Sequence, residues 1–410
     1  MMNKVLITSE IGKIKKIITH TPGHEIELMT PATAQDLLFD DILDFNTAKR
    51  EHDDFVKLLK LHSDVFEVID LLNYILKFQN IKEELLKELI SEADSSNDLF
   101  EELIRLEPNS LTQKIFYGVE CKDNSSKNIP KYIIPPLPNF FFTRDTAVVI
   151  NNHILSGSMA NKIRSSESII MRYILKYHPE FSSDGFYFDD VNDINETSKF
   201  EGGDIIVIRD DVLAIGLSER TTPQAVEQLI EILKAKGKIK HIFTVSLPKE
   251  RAMIHLDMVF TMLDQNFACI YEPIILGDLS LGVKHIDISN NINKIETVPN
   301  LLAGLKTLGI DLQPILCGGE NRINQDREQW MCGANFFALA PGKVIGYARN
   351  VKTFNELEKI GNMPRLEADD ILSGKINLND YERYAIAFKG AELSRGGGGA
   401  RCMTLPVLRD

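Results

Sequence analysis

Cys402 follows four consecutive glycines, Gly396 to Gly399, and the pair Ala400-Arg401. A thiol acts as a nucleophile when its surroundings favour the thiolate, and a nearby His or Arg would do that. The glycine run invites a phosphate-loop reading, but only eight residues, Pro406 among them, follow Cys402. That leaves no room for the helix N-terminus that phosphate binding uses. The glycines are better read as a loop that lets a ligand approach the thiol. Three other motifs carry ionisable groups. His255 and Asp257 share one face if their segment is a strand. In Phe200-Glu201-Gly202-Gly203-Asp204, Glu201 is placed to orient a histidine and Asp204 to meet a cation. In Asn139-Phe140-Phe141-Phe142-Thr143-Arg144-Asp145, aromatic rings beside a carboxylate form a slot for a planar cation. Each motif alone has a structural reading: a satisfied polar pair, a loop before a hairpin, a buried aromatic edge. Together, a thiol, an imidazole and several carboxylates are poor company for an anion. They suit a guanidinium, which carboxylates grip in bidentate fashion.

The 410 residues hold 46 Lys+Arg against 59 Asp+Glu, a net charge of −13. Nucleic acid is thereby disfavoured as a partner, because its phosphates draw clustered basic residues. With 44% hydrophobic and 26% charged residues the chain is ordinary globular material. Its length points to one large catalytic unit carrying an insert. The first residues, MMNKVLITSEIGKIKK, lack a signal-peptide apolar core. No apolar run approaches the roughly 20 residues that span a bilayer. Cys121, Cys269, Cys317, Cys332 and Cys402 are odd in number, widely spaced and without a C-x-x-C. They read as reduced thiols of a cytoplasmic protein.

These residues need elements to hold them. Asp145, Asp204, Asp257 and Asn335 each precede a short apolar strand, a tight polar turn and a return strand. The turns fall at Asn151-Asn152, Asp210-Asp211, near Gln265-Asn266 and at Pro341-Gly342. Helices follow: Thr222 to Lys236, with Thr222 as cap and Gly237 as stop, one opened by a Thr353/Glu356 capping box, and one opened by Ser168. A fifth unit arises if a strand near Ile14 to Ile18 pairs with one near Cys402 to Val407. Five such units can close into a ring with the polar residues facing its centre, the alternative being an open sheet. Residues 73–118 differ. Ile81, Leu85, Leu86, Leu89 and Ile90 fall at helical spacing, with Lys82, Glu83, Glu84, Lys87 and Glu88 opposite. Phe100, Leu103 and Ile104 resume the pattern after a polar break at Asp94 to Asn97. The expectation is an all-helical insert at 73–118 in an α/β body formed by 1–72 and 119–410.

Over essentially its whole length the chain resembles the arginine deiminases of the guanidino-group-modifying superfamily. The carriers are PNFFFTRD (138–145), FEGGD (200–204), HLDMVF (255–260), REQW (327–330), GANFFALAPG (333–342) and GGARCMTLP (398–406). The resemblance implies a five-bladed α/β propeller of pseudo-fivefold ββαβ-type units with a helical insert. It implies hydrolysis of L-arginine to L-citrulline and ammonia, the first step of arginine catabolism by that route, without metal or organic cofactor. Cys402 would attack the guanidinium carbon, His255 would shuttle protons and Glu201 would orient His255. Asp145 and Asp257 would grip the guanidinium nitrogens. Arg164 and Arg220 would hold the α-carboxylate, and Asn139 would contact the amino-acid end. Some members carry an arginine five residues before the nucleophile, where this chain has Gly397. Whether Arg395 or Arg401 serves instead is open at this point. A homo-oligomer is expected, with no nucleic-acid or membrane partner. The rival readings are a sibling activity (agmatine deiminase or amidinotransferase) and a catalytically silent amino-acid-binding protein of the same fold.

Overall fold

The computed structural model describes residues 4–93, 97–121, 132–188, 198–290 and 293–410. Most of the expected polar break, Asp94 to Ser96, lies outside the described residues.

One pattern recurs: an antiparallel strand pair, a helix, then a strand parallel to the second member of the pair. Ala147–Ile150 pairs with His153–Ser156, the helix Ser165–Tyr177 follows, and Phe186 bridges in parallel to Ile154. Ile205–Arg209 pairs with Val212–Leu217, and Pro223–Lys236 leads to the parallel strand His241–Ser246. Phe260–Met262 pairs with Phe267–Ile270, and Leu301–Thr307 leads to Gln313–Leu316. Phe337–Ala340 pairs with Lys343–Tyr347, and Val351–Gly361 precedes Tyr384–Phe388. In the remaining unit Leu405–Arg409 pairs with Ile14–Thr19, and Phe45–Lys60 leads to Asp64–Glu67. The strands Ile205–Arg209 and Val212–Leu217 are buried along almost their whole length, as expected where helices and neighbouring units cover both faces.

Local chemistry explains most boundaries. Asn151 turns its hairpin at φ 54°, a conformation that asparagine tolerates. Thr222 Oγ1 accepts from the Ala225 N–H at 3.3 Å and Gly237 ends that helix at φ 71°. Two helix starts differ from expectation. The helix expected at Ser168 begins at Ser165, and the Ser168 hydroxyl donates back to Gly157 O. Thr353 lies inside the helix that starts at Val351 and caps nothing there. Instead the Glu328 carboxylate accepts from the N–H groups of Lys352 and Thr353, both at 2.8 Å. A residue from a different element satisfies the orphan donors of that helix.

The helical stretch comprises Val68–Ile75, Gln79–Glu92, Asn97–Leu103 and Pro108–Phe116. Helix thus begins five residues before position 73. Ile81, Leu85, Leu86, Leu89 and Ile90 are buried in one apolar cluster with Ile170, Ile174 and Val149. Lys82, expected on the solvent side, is buried as well. Its ammonium donates to the carbonyls of Ile104 and Leu106, both at 2.6 Å, which satisfies a charge that would otherwise be costly to bury. Among the described residues no helix is long and apolar enough to cross a membrane.

Candidate active site

Before three of the hairpins the chain makes a tight 3-10 turn: Thr143–Thr146, Gly202–Asp204 and Leu256–Met258. Asp145, Asp204 and Asp257 ride on these turns. His255 and Asp257 therefore do not share the strand face that their spacing predicts; the strand begins only at Phe260. The turns are tied to one another. Asp204 accepts from the Leu256 N–H at 2.9 Å and from the Ser218 hydroxyl at 2.6 Å, and burial lifts its carboxyl to about 6. One oxygen thus holds the turn that carries His255 and Asp257 and the other holds the Ser218 loop, so Asp204 ties these segments together. Gly203 permits the tight stacking of these turns: a Cβ there would sit 2.6 Å from the His255 ring.

Cys402, His255, Glu201, Asp145, Asp257, Arg164, Arg220 and Asn139 all come together, and each is 5% exposed or less. His255 Nε2 lies 2.9 Å from Glu201 Oε2, and His255 Nδ1 lies 3.6 Å from Asp145 Oδ1. Burial alone would discharge His255, but Asp145 and the Glu201 hydrogen bond outweigh it and raise the imidazole to about 9. Burial likewise works against the Glu201 carboxylate, but the bond and charge of His255, with Arg220 and Arg164, bring it down to about 2. The two form a buried ion pair at neutral pH. Cys402 Sγ lies 3.6 Å from Asp257 Oδ2 and 3.9 Å from Oδ1. Burial, then Asp257 and Asp145, push the thiol well above its ordinary value. The local field therefore favours the thiol, not the thiolate expected beside a His or Arg, because carboxylates are its nearest charges.

Arg164 donates to Asp145 Oδ2 at 2.6 Å and pairs with Glu167 at 2.8 Å. Its remaining contacts are the carbonyls of Asn139 and Phe142, both at 3.3 Å. Arg220 is more loosely held, 3.5 Å from Glu201 and 3.4 Å from Glu219. The Asn139 side chain donates to Leu37 O at 2.8 Å and steadies the turn over the pocket. In that turn Leu38 has φ 68°, a conformation that costs a leucine about 1–3 kcal/mol. Arg401 is fully buried against Glu10 and Asp257, while Arg395 is on the surface with Asp41 and Glu392. Asn335, noted in the sequence only as the first residue of a repeat unit, proves central. Its Oδ1 accepts from the N–H of Arg401 (2.9 Å) and Cys402 (3.2 Å), and its Nδ2 is 3.2 Å from Cys402 Sγ. All five cysteines are free thiols.

Asp145, Glu201 and His255 also offer ligand atoms within 4.8 Å of one another. Those carboxylates already face the Arg164 and Arg220 guanidiniums, so a divalent ion there would sit among buried cations. Asp145 Oδ1 is buried and has no hydrogen-bond partner, although it faces His255 Nδ1 at 3.6 Å. The cavity beside Cys402 is only about 20 Å³, roughly room for one water.

The His255 shift makes a stability prediction. Its folded value of about 9 lies above the ordinary 6.5. The stabilisation is therefore complete below pH 6.5 and is lost as pH rises toward 9, a change of roughly 3 kcal/mol. In thermal melts the stability gap between wild type and His255→Gln should narrow over that range. A gap independent of pH would mean that His255 is not a buried cation.

A sequence model of the arginine deiminase family matches residues 35–409. The chain is 33% identical over 432 aligned positions to an arginine deiminase from Borrelia garinii subsp. bavariensis, covering 100% of this chain and 98% of that protein. Among solved structures, an amidinotransferase from Microseira wollei matches with a TM-score of 0.54 at 15% identity, over 99% of this chain and 97% of the other. A dimethylarginine dimethylaminohydrolase from Pseudomonas aeruginosa, complexed with citrulline, matches with a TM-score of 0.51 at 15% identity, over 96% and 99%. At such identities these two establish a shared mixed α/β fold. By the extent of the family match and of the full-length relative, the chain belongs to the arginine deiminase family.

Proposed function

We propose that the protein hydrolyses L-arginine to L-citrulline and ammonia through a covalent amidino-cysteine intermediate. The observation that carries the reading is Asp145 Oδ1, a buried carboxylate oxygen that faces His255 Nδ1 at 3.6 Å but has no hydrogen-bond partner, in the same pocket as Cys402 and His255. A guanidinium N–H is the donor that fits, with Asp257 gripping from the thiol side. The cation would also offset the Asp257 and Asp145 charges that, together with burial, hold Cys402 protonated, and so would favour release of the thiol proton to solvent. The thiolate then bonds to the guanidinium carbon. The His255 imidazolium gives its proton to the departing nitrogen, and ammonia leaves. Neutral His255 next takes a proton from water and the hydroxide adds to the same carbon; the C–S bond then breaks, and the added hydroxyl's proton passes to the departing thiolate, giving citrulline and the thiol again. Glu201 keeps the imidazole oriented and charged. Arg220, the less committed cation, meets the α-carboxylate. Arg164 offers a second charge there while it aligns Asp145, and Asn139 supports the amino-acid end. We further read the repeated units as the blades of a five-bladed α/β propeller. The pairing of Ile14–Thr19 with Leu405–Arg409 supports ring closure. The stretch 73–118 is then a helical insert, packed on the blade that contains Ser165–Tyr177.

Purified protein with arginine should yield citrulline and ammonia in equal amounts, and prior treatment with a chelator should not lower the rate. Agmatine, which lacks the carboxylate, should be a very poor substrate, since it leaves cations unpaired. Ammonia without citrulline, or activity lost to the chelator and restored by metal, would reject this mechanism.

A further inference from the structure

Neither Arg395 nor Arg401 lines the cavity beside Cys402, but Arg251 does. Arg251 opens the short turn Arg251–Met253 that precedes His255. Its Nη2 donates to Leu38 O at 2.6 Å and its Nε to Asp40 Oδ2 at 2.7 Å. Gly397 lies against it: φ is 87° there, and a Cβ would sit 3.3 Å from Arg251 Nη2. The guanidinium of Arg251 thus occupies the space that a side chain at 397 would need. It also borders a second, larger cavity of about 310 Å³, whose wall includes Asp40, Trp330 and Arg395. Arg251 and Gly397 are common to the two walls, so Arg251 stands where the outer cavity meets the inner one.

The present partners of Arg251 are replaceable. Its side chain is 30% exposed and that of Asp40 is 52% exposed. Such a pair is weak in water, and Asp40 can return to solvent without a desolvation penalty. Arg164 and Arg401 differ, since each is buried against two carboxylates. We propose that Arg251 is a specificity-determining residue that exchanges Asp40 for the α-carboxylate of the incoming amino acid. Because Nη2 also holds Leu38 O, the exchange loosens the strained turn whose Leu38 lines the inner cavity. A guanidine without a carboxylate cannot drive it. This inference rests on the proposed reaction with arginine.

The test compares Arg251→Met, Arg251→Lys and Asp40→Asn with wild type, using arginine and agmatine. Arg251→Met should raise KM for arginine tenfold or more, with a much smaller change in kcat and no change in KM for agmatine. Arg251→Lys should recover part of the loss. Asp40→Asn should leave KM for arginine unchanged or lower it, because Arg251 is then freer. Trp330 is the only tryptophan of the chain and gives a second readout. In a Cys402→Ser background its fluorescence should report arginine binding, weakened by Arg251→Met. Arg251→Met that keeps the wild-type KM for arginine, or Arg251→Met and Asp40→Asn that shift both substrates equally, would overturn the assignment while wild type still forms citrulline. A wild type that forms no citrulline would overturn the functional reading, and this assignment with it.

Discussion

The Cys402→Ser protein is expected to fold, to bind arginine and to form no citrulline, with turnover down on the order of 10⁴-fold or more. The fold should survive because the thiol makes few structural contacts. Its sulfur faces Asn335 Nδ2 and the Asp257 carboxylate, and a serine hydroxyl can meet both. The anchoring of the loop comes from backbone N–H groups on Asn335 Oδ1, which the substitution leaves alone. Chemistry should be lost because an alkoxide is far harder to form than a thiolate beside two carboxylates. Acid-quenched wild type should carry an amidino adduct on the Cys402 peptide, detectable by mass. Citrulline production by the serine variant at a rate near wild type would remove Cys402 from the mechanism.

Asp257→Asn is expected to lower kcat/KM by 10² to 10³-fold, or about 3–4 kcal/mol. A charge-assisted contact to the guanidinium accounts for roughly 1.5–3 kcal/mol, and a misplaced carbon adds to it. Asparagine is the informative choice because Asp257 also holds Arg401 at 2.8 Å. Alanine would break a buried pair, at about 3–5 kcal/mol of stability, and would blur the two roles. The same variant should alter the thiol in the opposite sense. Removing the carboxylate removes one of the charges that hold Cys402 protonated, so Cys402 should alkylate faster at pH 8 than in wild type. Slower turnover with a more reactive thiol separates substrate binding from nucleophile strength. A variant that melts lower yet keeps its kcat/KM would reduce Asp257 to a structural residue.

The hairpins were readable because each joins a polar first residue to a short apolar run and a turn pair, as Asn151-Asn152 does. The helix from Pro223 was readable because Thr222 and Gly237 cap it with their own atoms. What could not be read depends on partners distant in sequence. The turns that carry Asp145 and Asp257 look like strand starts, and only ties such as Asp204 to the Leu256 N–H bend them. Glu328 caps the helix for which the sequence offers a Thr353/Glu356 capping box. Lys82 sits in a charged helical face, and its burial depends on two carbonyls more than twenty residues away. The catalytic candidates were recognisable as types, but the sign of the field at Cys402 was not, because it follows from which charges come nearest. Asn335 showed only as a repeat residue, and nothing in the spacing connects Arg251 to Leu38.

The unit that carries Cys402 is assembled from distant parts, with Arg409 reaching Gly12 O across 397 positions. During synthesis the strand Ile14–Thr19 can pair with Asp64–Glu67 early, but its other edge stays open until Leu405–Arg409 leaves the ribosome. A nascent chain thus holds the histidine and the carboxylates long before it holds the thiol, and it folds through contacts of high sequence separation, which form slowly. An unpaired edge is also a template for wrong pairing. A molecule clipped ahead of Cys402 would lose the proposed nucleophile and expose that edge in one event. Inactive molecules of this kind should then be the ones that chaperones and proteases recognise.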